Sequence, residues 1–265
     1  MSQKKLNSAM PDALPPTILF ASIGPNVERW QRIIGVKSDG VFGKSTKGAT
    51  MEWQAAHGLY ADGVVGPKTW ACALGLETPS EPAGFPFVQA KYYTKGPRKN
   101  GIDLIVIHTM EAAEKPGTAE QVARWFAGPN APQASAHYCV DNKSVWQCVR
   151  DYDIAWHAPG VNHNGLGIEH AGFASQTAEQ WADDFSEAMI QRSASLCAEL
   201  CDAYKIPAVF VSAAGLKLGT RGITTHKAVT DGLNNGKGHW DPGPNFPLEY
   251  YLQLVNNCLA NGAKS

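Results

Sequence analysis

The sequence lacks a long hydrophobic run, a large net charge of either sign and any closely paired cysteine motif, and each absence argues against a class of protein. No stretch of the 265 residues approaches the roughly 18 apolar residues of a membrane span, so we expect no stable membrane insertion. The 23 basic and 24 acidic residues nearly cancel, which argues against a dedicated nucleic-acid-binding protein. The six cysteines form no CxxC pair, which favours buried free thiols over a dense disulfide framework.

The start of the chain also lacks the pattern of a secretory signal peptide. Lys4 and Lys5 are followed by several prolines instead of an apolar segment of about 7–15 residues. We therefore expect synthesis in a cytoplasm. The length is compatible with one or two domains.

An internal repeat occupies residues 24–76. The pattern Asp-Gly-x-x-Gly occurs at 39–43 and again at 62–66. Asp-Gly favours a tight turn, because glycine accepts a positive φ and the aspartate side chain bonds nearby backbone N–H groups. Apolar residues at helical spacing lie before, between and after the turns, so this segment predicts a small three-helix all-α domain.

The repeat resembles the three-helix peptidoglycan-binding domain found in many cell-wall hydrolases. The resemblance rests on the two Asp-Gly-x-x-Gly turns, on Trp-Gln at 30–31 and 53–54, and on the Thr-Trp pair at 69–70. It implies that the domain binds bacterial peptidoglycan. The candidate wall-binding residues are Asp39, Gly40, Asp62 and Gly63. For each of them alone, a purely structural role in its turn remains open.

A proline-rich break over 77–87 separates this domain from the rest of the chain, because proline stiffens such a segment and excludes helix. We therefore divide the chain into an N-terminal extension (1–23), the three-helix domain (24–76), a linker (77–87) and a larger domain (88–265).

Strand and helix patterns alternate in the larger domain. The expected strands are 102–107, 136–140, 145–149, 166–170 and 222–226. Helices are expected from residue 118, over about 178–204 and over about 248–259. This order predicts an α/β domain with a mixed central sheet packed by helices.

Three potential metal ligands stand far apart in this domain. His108 and His226 both come at predicted strand ends, and Asp241 follows in the segment His-Trp-Asp-Pro-Gly-Pro at 239–244. Two imidazoles and one carboxylate are a common catalytic zinc set that leaves a fourth position open. A histidine at a strand end is more often packed or exposed, so the spacing alone does not establish a metal site.

A family resemblance connects these positions. The segments 105–109, 134–138, 155–158, 162–169, 225–226 and 241–246 resemble, in the same order, the zinc-dependent N-acetylmuramoyl-L-alanine amidases. The match covers about residues 100–260. It implies a Zn²⁺ cofactor on His108, His226 and Asp241, and Glu169 as the catalytic general base. The implied reaction is hydrolysis of the amide between N-acetylmuramic acid and the L-alanine of the stem peptide.

The sequence departs from the family pattern two residues before the third metal ligand. Many hydrolytic relatives carry a lysine there, which stabilises the developing oxyanion, whereas this chain has His239. A histidine can donate an N–H, so His239 is our second candidate catalytic residue. The candidate substrate-binding residues are His137, His157 and Asn164. For the two histidines, a packed position behind the cleft remains an equal alternative.

A wall-binding domain joined to such an amidase is similar to a phage or prophage endolysin, released onto the host wall by a separate membrane-permeabilising protein. We expect a monomer. A recycling amidase for soluble anhydro-muropeptides, a non-catalytic peptidoglycan-sensing protein and a toxin delivered between bacteria remain open as alternatives.

Overall fold

The computed structural model describes residues 15–57, 59, 63–75, 84–96, 98 and 101–262. The chain forms two compact units, residues 1–79 and residues 80–265.

The first unit contains helices α1 (Pro25–Ile33), α2 (Lys44–Ala56) and α3 (Pro67–Ala73). Its core is aromatic: the buried rings of Trp30 and Trp70 meet edge to face at 5.5 Å, and Trp53 meets Trp30 at 5.1 Å. Residues 18 and 23, from the predicted N-terminal extension, form backbone bridges to residues 65 and 41. The predicted three-helix domain is confirmed.

A buried glutamine ties each Asp-Gly turn to the helix before it. Gln31 Oε1 accepts the N–H of Gly40 at 2.9 Å, and Gln54 Oε1 accepts that of Gly63 at 2.8 Å. Both glycines have a positive φ, as the turn chemistry requires. Asp39 Oδ1 accepts from the Gln31 amide at 2.9 Å. The two repeats therefore share the glutamine–glycine hydrogen bond as well as the sequence pattern.

The second unit is built on a mixed five-stranded sheet with strand order β4-β3-β6-β2-β7. The strands are β1 (Tyr93–Thr94), β2 (Leu104–Thr109), β3 (Tyr138–Val140), β4 (Val145–Gln147), β5 (Ile154–Ala155), β6 (Gly165–His170) and β7 (Gly222–Thr225). Strands β3, β6, β2 and β7 are parallel, and β4 is an antiparallel edge strand. The short strands β1 and β5 pair separately.

Helices cover both faces of this sheet. They are α4 (Thr118–Ala127), α5 (Asp184–Tyr204), α6 (Ala213–Lys217), α7 (His226–Leu233) and α8 (Leu248–Gly262). Because strand side chains alternate, Ile105 and Ile107 of β2 pack with α5 and α8, whereas Leu104 and Val106 pack with α6 and α7. His108 follows the second series, which assigns it to the α6–α7 face. The predicted α/β class with helices on the sheet is confirmed.

Several predicted boundaries differ from the structure. Strand β2 extends to Thr109, so His108 lies within the strand, and His226 is the first residue of α7 and not the last of a strand. The helix predicted over 178–204 is interrupted. A 3₁₀ turn over Gln180–Ala182 precedes α5, and the extended residue Asp183 caps α5 by accepting the Ser186 N–H at 2.8 Å.

Part of the predicted linker also belongs to the second unit. Residue 87 forms a parallel bridge to residue 147 of β4, and the Phe85 ring meets Tyr138 edge to face at 6.1 Å. All six cysteines are free, as expected, and four of them are buried. Within the described ranges, no helix combines the length and apolar character needed to cross a membrane.

Candidate active site

Two histidines and an aspartate converge on the α6–α7 face of the sheet. One ligand atom from each of His108, His226 and Asp241 lies within 4.8 Å of the others. The Nδ1 atom of His108 is 3.0 Å from Asp241 Oδ2, and the Nδ1 atom of His226 is 3.1 Å from Asp241 Oδ1. All three side chains are buried. The structure therefore brings together the three predicted metal ligands.

The fold holds each ligand on a separate element. His108 extends from strand β2, which lies between β6 and β7 in the sheet. His226 begins α7, whose N-terminus is capped by Thr225 Oγ1 accepting the Ala228 N–H at 3.1 Å. The loop that carries Asp241 is tied to the same helix, because the Lys227 N–H donates to the Asp241 carbonyl oxygen at 2.9 Å. The three residues are far apart in the sequence, and the sheet and the N-terminus of α7 bring them close together in space.

The donor set fits a tetrahedral metal ion. Zinc bonds of about 2.0–2.1 Å place neighbouring ligand atoms about 3.3 Å apart. Each histidine Nδ1 lies at a similar distance, 3.0 or 3.1 Å, from a different oxygen of the Asp241 carboxylate. Asp241 Oδ1 is buried, and no donor within the described ranges meets it in hydrogen-bond geometry. Burial alone would raise the pKa of Asp241, but its contacts with His108 and His226 hold that pKa well below the usual value. This carboxylate is charged and has an oxygen available for a cation.

Glu169 lies beside this group on the neighbouring strand. It is the register partner of His108 between β6 and β2, on the same face of the sheet. Its Oε2 atom is buried and has no hydrogen-bond partner among the described residues. Burial raises the pKa of Glu169 well above its usual value, and the negative charge of Asp241 raises it further. A carboxyl group in this state is suited to accept and release a proton.

His239 lies at the rim of the site. Its ring stacks on the ring of His226 at 4.8 Å with an interplanar angle of 10°, and its side chain is 77% exposed. The Nδ1 atom of His239 is 3.9 Å from Asp241 Oδ1. The ring therefore lies on the solvent side of the metal-ligand group, which consists of His108, His226 and Asp241.

Residues 98–244 match the family of N-acetylmuramoyl-L-alanine amidases over more than half of the chain. The chain belongs to this amidase family. Residues 27–72 match the peptidoglycan binding domain family. Both resemblances inferred from the sequence are confirmed.

Several known proteins are similar to this chain, among them the following two. N-acetylmuramoyl-L-alanine amidase A of Achromobacter lyticus is 32% identical over 172 residues, which span 61% of this chain and 88% of that protein. The crystal structure of the hydrolase AmiA of Staphylococcus aureus has 17% identity and a TM-score of 0.54, and the match covers 74% of this chain and 90% of that one. The second likeness supports the fold alone.

The three predicted substrate-binding residues of the amidase lie in different places. His157 is buried, lines the cleft and contacts His108. His137 is fully buried; it accepts the Gly167 N–H at 3.0 Å, and its Nε2 atom is 2.6 Å from Arg98 Nη2. Asn164 precedes β6, roughly 16 Å along the strand from Glu169 at about 3.3 Å per residue. Of these three, the structure brings only His157 to the site.

The candidate wall-binding positions belong to the first unit. Asp39 and Gly40 form the first turn, where the Asp39 carboxylate accepts from Gln31 and from the Val41 N–H at 3.0 Å. Gly63 occupies the equivalent place in the second turn, and Asp62 lies outside the described residues. The internal bonds of Asp39 match the structural alternative for that residue, and its role in wall binding stays a prediction.

The cleft of the amidase has a volume of about 360 Å³ and contains residues that the sequence analysis missed. Exposed indoles of Trp125, Trp156 and Trp240 line it, together with the carboxylate of Glu111. Trp125 lies in the helix predicted from residue 118, but no sequence signal showed that its side chain would meet the cleft. Glu111 has a φ of 49°, a strained conformation for a residue with a side chain.

Proposed function

We propose that the chain is a zinc-dependent peptidoglycan hydrolase that cleaves the amide between N-acetylmuramic acid and the L-alanine of the stem peptide. One observation carries this proposal: a buried, unpartnered Glu169 carboxylate oxygen lies next to a convergent His-His-Asp group in an open cleft. Membership of the amidase family supports the choice of bond.

Zinc, held by His108, His226 and Asp241, would supply a Lewis acid that polarises the substrate carbonyl and lowers the pKa of water. Glu169 accepts a proton from the water that attacks the carbonyl carbon. The same residue then gives this proton to the amide nitrogen as the C–N bond breaks. The products are a lactyl carboxylate and a free amino group on L-alanine.

His239 supplies a donor at the open side of the site. Its exposed ring, stacked on His226, is positioned to give an N–H to the carbonyl oxygen as negative charge develops there. In this proposal His239 takes the place of the lysine that many relatives carry.

The walls of the cleft support a bulky, partly apolar substrate. The chain has eight tryptophans, and the three that are exposed all line this one cleft. Exposed aromatic surface that converges on a pocket indicates ligand contact. The faces of sugar rings and the short side chains of a stem peptide both suit such walls.

We further propose that the chain is a phage or prophage endolysin, which is made in the host cytoplasm and acts on the wall after release. The match of residues 27–72 to a peptidoglycan binding domain supports an insoluble wall as the target, because a tether raises the local concentration of the enzyme at its substrate.

The decisive experiment digests purified sacculi and identifies the new termini by mass spectrometry. We expect free L-alanine amino termini and intact glycan chains. The Glu169→Gln and His226→Ala variants should each lose at least about a hundredfold in rate, while replacement of the exposed His163 by alanine serves as a matched control that keeps activity. New reducing sugar ends, or wild-type rates in Glu169→Gln, would overturn the proposal.

A further inference from the structure

The predicted metal ligand His108 has a second histidine behind it. The Nε2 atom of His108 lies 3.0 Å from Nδ1 of His157, on the side of the ring away from Asp241. The other ring nitrogen of His157, Nε2, lies 3.3 Å from the carbonyl oxygen of Gly165. Two imidazoles and one backbone carbonyl thus form a continuous row of contacts.

The Gly165 carbonyl oxygen, at the end of this row, determines which nitrogen atoms carry protons. A carbonyl oxygen only accepts, so the Nε2 atom of His157 carries its hydrogen toward Gly165. The ring of His157 is buried, and a neutral ring with its proton on Nε2 has Nδ1 as its acceptor. His108 must then donate from Nε2. A neutral His108 with its proton on Nε2 has a lone pair on Nδ1, the atom that faces Asp241 and His226.

The protein is shaped around the ring of His157. Asn162 Oδ1 accepts the backbone N–H groups of His157 and Ala158 at 3.0 and 2.7 Å, which fixes the loop that carries the ring. The ring lies against Gly167 of β6, where an added Cβ would come within 2.7 Å of His157 Cγ. Position 167 must therefore lack a side chain if the ring is to remain there.

We propose that His157 is a positioning residue that fixes the tautomer of His108, so that Nδ1 of His108 is presented as a metal ligand. This role differs from the substrate contact predicted from the sequence. It rests on the proposed zinc site and is independent of the bond that the enzyme cleaves.

The test compares zinc affinity in two variants of the full chain. His157→Leu removes the acceptor, whereas His157→Asn places an amide oxygen near the former position of Nδ1. Zinc is removed with a chelator and titrated back against a chromophoric competitor. We expect His157→Leu to bind zinc about 10- to 100-fold more weakly than the wild type, and His157→Asn to bind close to the wild type. His163→Leu, a change at an exposed histidine, is the matched control.

A tautomer measurement keeps the test valid if the leucine variant fails to fold. Long-range ¹H–¹⁵N spectra of the zinc-loaded wild type should show the protons of His108 and His157 on their Nε2 atoms, and a proton on Nδ1 of His157 would overturn the proposal. Equal zinc affinity in a folded His157→Leu variant, or an equal loss in both variants, would also overturn it. A wild type that binds no zinc would instead refute the proposed metal site itself.

Discussion

At the scale of single residues, the role of His239 depends on the position of its ring. The stacking on His226 holds an exposed imidazole parallel to a predicted metal ligand and at the mouth of the cleft. The sequence showed only that a histidine replaces the lysine of many relatives. The structure adds that this histidine stacks on His226 and lies 3.9 Å from Asp241 Oδ1.

We predict that His239→Ala lowers kcat about 100-fold with little change in KM, because an oxyanion donor acts mainly in the transition state. His239→Lys should retain most of the activity, since an ammonium group restores a donor at the same place. Steady-state rates on a soluble muropeptide measure both parameters. An unchanged kcat in the alanine variant would make His239 a rim residue without a catalytic role.

At the scale of elements, the start of α5 depends on one side chain. Asp183 is extended, and its carboxylate accepts the Ser186 N–H, which satisfies one of the free N–H groups in the first turn of the helix. Helix α5 packs with α8 on one face of the sheet, so its first turn contributes to the stability of the second unit.

We predict that Asp183→Ala lowers the free energy of unfolding by about 1 kcal/mol, whereas Asp183→Asn, which keeps an acceptor, stays close to the wild type. Urea denaturation followed by far-ultraviolet circular dichroism measures the difference. Equal losses in the two variants would show that the charge of Asp183, and not its hydrogen bond, stabilises the helix start.

The sequence predicted elements best where the apolar pattern was long. The continuous β-branched apolar run before His108 correctly predicted a strand that is buried along its whole length. The helical spacing of apolar residues correctly predicted α5. Helices α6 and α7 were missed, since they are short, contain glycine and follow strands or loops without a proline break. The interruption at Asp183 was also missed, because a cap depends on one local conformation.

The candidate site was predictable only in part. The three predicted metal ligands and Glu169 came from a family motif, because their spacing in the sequence does not show that they lie together. The sheet register that pairs His108 with Glu169 is a tertiary property. The cleft position of Trp240 and the contact of His157 with His108 arise from loops, whose geometry the sequence pattern does not encode.

At the scale of the whole molecule, a module of one family precedes a catalytic unit of another. The first unit has its own tryptophan core and its own repeated turn network, and the second has a separate sheet core. The metal-ligand group, Glu169 and the cleft all belong to the second unit. Catalysis and wall attachment are therefore separable in principle.

We predict that a protein starting at residue 80 degrades intact sacculi roughly 10- to 100-fold more slowly than the full chain, because attachment makes the catalytic encounter intramolecular. On a soluble muropeptide the two proteins should have the same rate, since a diffusing substrate gains nothing from the tether. Circular dichroism confirms that the shortened protein is folded. If the two proteins degrade sacculi at equal rates, the first unit has no tethering role. If the full chain prefers soluble fragments to sacculi, a recycling amidase is favoured over an endolysin.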